Sequence, residues 1–202
     1  MPSHHMEIFK IPETTIKEMD KLQRDFCWNK PQGGGIYITR WPRMCRDKAT
    51  EGLGFRDLHC FNQALLAKAA WRLCQQQQQL CAIALKERYF PLTNVLHAKK
   101  KKNSTWAWNN IQGMMDFVKN WSFWIVGDGR KIQTWKDNWI IGKHSPPVQE
   151  VDSDEAQRYV TVNNLIDSHT KSWKVDIVRR LFNSEDVEKI LQICLTESEK
   201  ID

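Results

Sequence analysis

The amino-acid sequence has no apolar run of about 18 residues, the length that a membrane span needs. Its first seven residues lack a basic segment followed by an apolar core, so we expect no secretory signal. None of the six cysteines forms a Cys-x-x-Cys pair, and the six histidines show no ligand spacing, so the sequence predicts no metal and no cofactor. These absences favour an intracellular protein, nuclear or cytoplasmic, with reduced, buried thiols and no membrane partner.

The sequence also lacks a recognisable catalytic set. Residues 1–136 contain no Asp-Asp pair of the kind that holds two Mg²⁺ ions in polymerases and nucleases. The Gly127-Asp128-Gly129 motif does not match a phosphate-binding loop, because no Lys-Ser/Thr follows it. Asp57 and His59 lie close together but have no accompanying nucleophile, and Asp57 is well placed to cap the helix that follows. We therefore predict no catalytic residue.

Tryptophan and positive charge are abundant, and the charge is unevenly distributed. Residues 1–136 hold 22 Lys/Arg and 11 Asp/Glu, whereas residues 137–202 hold 8 and 13. A basic region interleaved with aromatic residues is typical of proteins that bind nucleic acid without sequence preference. The alternative is a solvated basic surface over tryptophans of the core. The candidate nucleic-acid-binding residues are Arg40, Arg43, Arg46, Lys48, Arg56, Lys68, Arg72, Lys99, Lys100, Lys101 and Lys102.

Residues 52–72 form the most informative stretch, in which a two-glycine turn leads into a helix. Apolar residues, Trp71 among them, cover most of the circumference of this helix, and Lys68 and Arg72 share its narrow polar strip. A helix with this pattern is expected to be surrounded by other elements.

The periodicity elsewhere predicts a mainly α-helical fold with one β-hairpin, an α+β class. The hairpin signal lies at residues 121–135, where Trp121, Phe123 and Ile125 alternate with Ser122, Trp124 and Val126. A turn at 127–129 follows, and the alternation continues after it. Pro146-Pro147 and the acidic residues after them predict a linker at 142–159. A small helical unit is expected at 160–202, where Ser184 is the predicted cap of the last helix.

Residues 52–72 resemble the Gly-Gly-Leu-Gly-Phe-Arg-Asp-Leu … Asn-x-Ala-Leu-Leu-x-Lys-x-x-Trp-Arg segment of plant LINE-type, non-LTR retrotransposon reverse transcriptases. Glu51 stands where the first glycine of that pattern is usual. The Trp- and Gly-rich segment 121–139 is also similar to the family. Further segments resemble it in the same order, namely residues 6–28, 41–48, 89–91 and 162–195.

The resemblance implies a helical thumb and connector bundle followed by a small helical unit. It predicts a thumb-like N-terminal helix and basic loop at 1–50, a helical connector with the hairpin at 51–141, the linker at 142–159, and a truncated helical unit at 160–202. The catalytic Asp motif of the family would lie upstream of Met1, and its zinc-binding segment downstream of Asp202. The resemblance therefore implies a chain that is no enzyme by itself, from a parent RNA-directed DNA polymerase.

The implied partner is template–primer nucleic acid, either RNA or an RNA–DNA duplex. Two other hypotheses stay open. According to the first of them, the chain is a structural or protein-interaction module, or a degenerate retroelement relic, and has no nucleic-acid role. The third hypothesis, an active polymerase or ribonuclease H, is disfavoured because the carboxylate cluster is missing. Oligomeric state is not predicted.

Overall fold

The computed structural model describes residues 3–30, 36–75, 78–149 and 153–195. The chain divides into two compact units, which we call unit 1 (Met1–Met115) and unit 2 (Asp116–Asp202). Helices dominate both, and the described residues form one antiparallel sheet of two short strands. The predicted class, mainly α with one β-hairpin, is confirmed.

Unit 1 is built from helices and two short 3₁₀ turns. The turns lie at Lys48–Thr50 and Val95–His97. The helices are α1 (Ser3–Ile8), α2 (Glu13–Cys27), α3 (Trp41–Met44), α4 (Leu58–Gln75), α5 (Leu80–Tyr89) and α6 (Trp106–Gln112).

Helix α4 is the centre of unit 1 and packs against α1, α2 and α6. Its buried face carries four side chains that follow each other at intervals of four residues, namely Leu58, Asn62, Leu66 and Ala70. Asn62, the polar one, is 2% exposed. The Asn62 side chain accepts a hydrogen bond from the Ile11 amide (2.8 Å) and donates to the carbonyls of residues 6 (2.7 Å) and 9 (2.9 Å). One polar side chain therefore ties the end of α1 and the following loop to the central helix.

Helix α2 is the predicted N-terminal helix, and its apolar side chains are only partly buried. The helix is capped by Pro12 without a side-chain hydrogen bond. Ile16 is buried and belongs to a cluster with Met6, Ile11 and Leu58, whereas Phe26 is 88% exposed. Among the described residues, the apolar stripe of α2 is thus covered only over its first turns.

Unit 2 combines short helices with the sheet. The strands β1 (Ile166–Asp167) and β2 (Ser172–Trp173) pair antiparallel, with Ile166 opposite Trp173. Helix α7 (Met115–Trp121) begins at the last residue of unit 1, and α8 (Ser153–Ala156), α9 (Val175–Leu181) and α10 (Ser184–Leu191) follow. Asn183 rather than the predicted Ser184 caps α10, because its side chain accepts the amide hydrogen of Asp186 (2.8 Å).

The β-hairpin does not lie where the alternation predicted it. The Trp124 amide donates to the Asn138 carbonyl (2.7 Å), and Thr134 donates to Val160 (2.9 Å). Residues 132–134 therefore pair with residues 160–162, and an isolated antiparallel bridge joins positions 133 and 161. The sheet forms instead at residues 166–173.

The predicted turn at Gly127-Asp128-Gly129 docks on the segment that follows the predicted linker. Gly129 has φ +70°, and an added Cβ would lie 2.6 Å from the Asn163 nitrogen. The Asn163 amide donates to the Gly129 carbonyl (2.9 Å), and its side chain donates to the Asp128 carbonyl (2.8 Å). Only glycine combines this backbone angle with so close a contact.

The division of the chain differs from the predicted domains 1–50, 51–141, 142–159 and 160–202, because one core spans the last three. Val126, Ile132 and Trp139 share a cluster with Val162, Trp173 and the apolar faces of α9 and α10. Ala156, inside the predicted linker, is buried, and its carbonyl accepts the Trp135 indole hydrogen (3.0 Å). The predicted linker is thus an integral part of unit 2.

Candidate nucleic-acid interface

The segment of residues 40–56, which we call the basic loop, folds around two buried side chains, Trp41 and Met44. Pro42 lies in the first turn of α3, where its missing amide costs nothing. Met44 is buried, and its carbonyl accepts hydrogen bonds from the amides of Leu53 (3.1 Å) and Phe55 (3.2 Å). The Trp41 and Phe55 rings lie 5.2 Å apart. The loop is therefore a folded platform held by its own apolar residues.

Gly52 closes this platform. Its amide donates to the Asp47 carbonyl (3.0 Å), and a Cβ at this position would collide with the carbonyl oxygen of Arg46. Glu51 just before it adopts φ +60°. The two-glycine turn seen in the sequence thus reflects a close approach of two backbone segments.

Four of the candidate cations, Arg40, Arg43, Arg46 and Lys48, lie on this loop and are exposed. Arg43 pairs with the exposed Glu51 at 3.2 Å. Such a surface pair contributes about 0–1 kcal/mol, so an anionic ligand can displace it. Within the described residues, the other three have no carboxylate within ion-pair distance.

Arg56 joins the basic loop to α4. Its guanidinium lies 4.8 Å from the centre of the Phe61 ring, and it is exposed. Asp57 accepts the Cys60 amide hydrogen (2.9 Å) and so caps α4 as predicted. The contacts hold the end of the basic loop against the first turn of the central helix.

Lys68 and Arg72 are exposed on α4, on the side away from Leu66 and Ala70. Trp71 lies between them in sequence and is 43% exposed. The exposure of Lys68 and Arg72 agrees with the predicted polar strip, but the prediction that other elements surround the apolar residues is wrong for Trp71. The three-residue spacing from Lys68 to Trp71 was the signal in the sequence that could have placed the tryptophan on this face.

Lys99, Lys100, Lys101 and Lys102 precede α6 and are all exposed. The chain just before them is anchored because the Gln112 side chain donates to the Ala98 carbonyl (2.8 Å). The Lys101 ammonium donates to the carbonyl of residue 88 (2.7 Å). Within the described ranges, no hydrogen bond or ion pair joins these lysines to the basic loop, so they form a second cationic segment of unit 1.

The two carboxylates nearest the Trp-rich segment have structural contacts. Asp137 is 3% exposed and accepts the Gln133 amide hydrogen (2.7 Å). Asp128 accepts the amide hydrogen of Arg130 (3.0 Å) and pairs with its side chain at 3.7 Å. In the parts of the chain that the structure describes, no group of three or more His, Cys, Asp or Glu could hold a metal ion.

All six cysteines are free thiols. The prediction that they are buried is wrong for Cys27, Cys60, Cys81 and Cys194, which are exposed. Burial raises the pKa of the half-buried Cys74 thiol to about 11. Over the residues described, no helix is both long and apolar enough to cross a membrane.

Two proteins from Arabidopsis thaliana are similar to the chain. One, named "Putative ribonuclease H protein", is 31% identical over 166 residues, which are 77% of this chain and 25% of that protein. The chain thus spans a quarter of the length of this relative. The other, an uncharacterized mitochondrial protein, is 30% identical over 149 residues, which are 73% of this chain and 97% of that protein. No protein-family model and no solved structure matches the chain.

Proposed function

Because the chain belongs to the plant retrotransposon-related family that includes both relatives, we propose that it is a non-catalytic, thumb-like and connector part of a reverse transcriptase. In this proposal unit 1 contacts template–primer nucleic acid, either RNA or an RNA–DNA duplex. The parent protein is an RNA-directed DNA polymerase, and no catalytic step is assigned to this chain. Primer extension or RNA cleavage by the purified chain would overturn that last point.

The observation that carries the proposal is the charge of unit 1. Its 115 residues hold 18 Lys/Arg and 9 Asp/Glu, whereas unit 2 holds 12 and 15. The eleven candidate cations all belong to unit 1, and all are exposed. Lysine and arginine near phosphates release condensed counterions, and this release drives binding that needs no base sequence.

The test is binding of a labelled RNA–DNA hybrid and of structured RNA, followed by fluorescence anisotropy between about 50 and 200 mM salt. We expect the logarithm of the association constant to fall linearly with the logarithm of the salt concentration. The slope on a duplex is about −0.9 for each phosphate contacted. Binding that is absent at low salt, or that salt does not weaken, refutes the proposal.

A pair of variants with the same change in charge locates the surface. The first replaces the four lysines at 99–102 by glutamine. The second replaces four exposed cations of unit 2 by glutamine, namely Lys136, Arg158, Lys171 and Arg179. We expect the first variant to bind nucleic acid more weakly and with a shallower dependence on salt concentration. The second variant should keep the affinity and the salt dependence of the parent chain. Equal losses would mean that only the total charge matters and that unit 1 is not the interface.

A different observation favours the alternative, a protein-interaction module. In unit 2, Trp121 at the end of α7 and Phe123 and Ile125 in the segment that follows are each at least 60% exposed. Rows of exposed apolar side chains are typical of protein–protein contact sites. A triple substitution of these residues by serine that abolishes a co-purifying partner, with hybrid binding absent in the parent chain, would establish the alternative.

A further inference from the structure

The exposed face of α4 differs from the basic loop, whose Trp41 is buried, because an exposed tryptophan lies within it. Trp71 is 43% exposed, whereas Trp108 and Trp139 are fully buried. Lys68 and Trp71 are three residues apart, so their Cβ atoms lie about 5–6 Å from each other. Arg72 follows Trp71 directly, and it lies one turn from Lys68 on the same exposed side.

The Trp71 ring has no partner of its own in the described structure. The exposed Trp106 leans on Phe9 at 5.1 Å, and the exposed Trp121 lies 6.3 Å from Phe117. Among the described residues, no ring stacks on Trp71 and no cation lies over it.

The neighbouring residues leave the ring accessible. Aromatic side chains in helices lean toward the preceding turn, which here carries Ala67 and Lys68. Ala67 is too small to cover the ring, and the lysine stem leaves its ammonium group in solvent. The outer face of the indole therefore remains open to a flat ligand.

The charges on this face indicate the ligand. Neither Lys68 nor Arg72 pairs with a carboxylate in the described part of the chain. A flat apolar ring flanked by two unpaired cations is complementary to a nucleotide, whose base stacks and whose phosphates are anionic. Inside a duplex the base faces are already stacked on each other, so away from the duplex ends only an unpaired base can lie on the indole.

We propose that the face of α4 formed by Lys68, Trp71 and Arg72 binds an unpaired stretch of nucleic acid by stacking one base on the indole. This inference rests on the proposed function. It specifies that the ligand bound at this face of α4 is single-stranded nucleic acid and not the backbone of a duplex. Lys68 and Arg72 contact the phosphates on either side of the stacked nucleotide. Trp71 is a binding residue and takes part in no chemical step.

The experiment uses the full chain and a single-stranded oligonucleotide that carries 2-aminopurine, whose fluorescence falls when it stacks. A blunt RNA–DNA hybrid without unpaired bases serves as the competitor. RNA and DNA versions of the single strand are compared, because both offer the same base and phosphate chemistry. Circular dichroism confirms that each variant is folded.

We expect Trp71→Leu to weaken single-strand binding about fivefold or more, as loss of one base–aromatic stack does. The 2-aminopurine quenching should disappear in this variant and persist in Trp71→Phe, which keeps an aromatic face. Trp121→Leu, which removes an exposed tryptophan from unit 2, is the matched control and should change neither quantity.

Two outcomes overturn the inference and are distinguishable. If Trp71→Leu binds and quenches as the parent chain does while salt-dependent hybrid binding persists, the stacking face is refuted and the proposed function stands. If the parent chain binds neither hybrid nor single strand at low salt, both proposals fall together.

Discussion

Replacing Asn62 by leucine removes three hydrogen bonds from the centre of unit 1 while keeping the number and branching of the side-chain heavy atoms. Asn62 is 2% exposed. Its carbonyl oxygen accepts from the Ile11 amide, and its amide group donates to the carbonyls of Met6 and Phe9. In the variant, one buried amide hydrogen and two carbonyls lose their partner at once.

The expected loss of stability follows from the cost of an unsatisfied buried polar group, which is about 1–3 kcal/mol. For three groups, with water reaching some of them after local opening, we expect a loss of about 3 kcal/mol. The entropy of unfolding is about 2.1 cal/mol/K per residue. For the 115 residues of unit 1, the melting temperature should therefore fall by about 12 °C.

Thermal and urea unfolding of Asn62→Leu, followed by circular dichroism, measure this loss. Gln63→Leu is the matched control, because Gln63 is the next residue on α4 and is exposed. The control should shift stability by no more than about 0.5 kcal/mol. If both variants lose less than about 1 kcal/mol, the three hydrogen bonds do not hold α1 on α4 and the reasoning is refuted.

Three further predictions concern single sites. Gly129→Ala should destabilise unit 2 by about 2 kcal/mol or more in urea, because the strain of a positive φ adds to a steric clash with the Asn163 backbone. Gly142→Ala is the control: Gly142 has φ +78° and open space around it, so this variant should show the strain alone. Lys143→Met should cost about 3–5 kcal/mol, because it leaves the 2% exposed carboxylate of Asp186 unpaired; an unchanged urea midpoint would contradict this. Cys74, with its pKa raised to about 11, should react with iodoacetamide at about pH 8 more slowly than the exposed cysteines, and peptide mapping that finds it among the fastest would refute the assignment.

Local signals in the sequence predicted the helices well. Helix α5 runs from Leu80 to Tyr89 and ends two residues before Pro91, which cannot continue a helix. Asp57 caps α4, and Thr105 caps α6. Each of these features depends on residues within one or two helical turns of each other. All the residues that interact are therefore visible in a short stretch of sequence.

Pairing between distant segments was not predictable in this way. Exposure alternates at residues 121–126, since Trp121, Phe123 and Ile125 are exposed and Val126 is buried, yet these residues form no strand. Periodicity does not specify the partner of a strand. Residues 132–134 pair with residues 160–162 because both segments belong to the core that contains Trp139 and Trp173. The ring centres of these two tryptophans lie 5.9 Å apart.

The sequence by itself determined the family, the fold class, and the concentration of positive charge in the first part of the chain. Charged side chains keep their hydration, so the exposure of Lys68 and Arg72 followed from their chemistry. Only the tertiary structure decided which apolar residues are covered. Helix α4 carries apolar side chains nearly all round, and α1, α2 and α6 cover the face of Leu66 but leave Trp71 open. Burial depends on what packs against a residue, and a helical pattern does not contain that information.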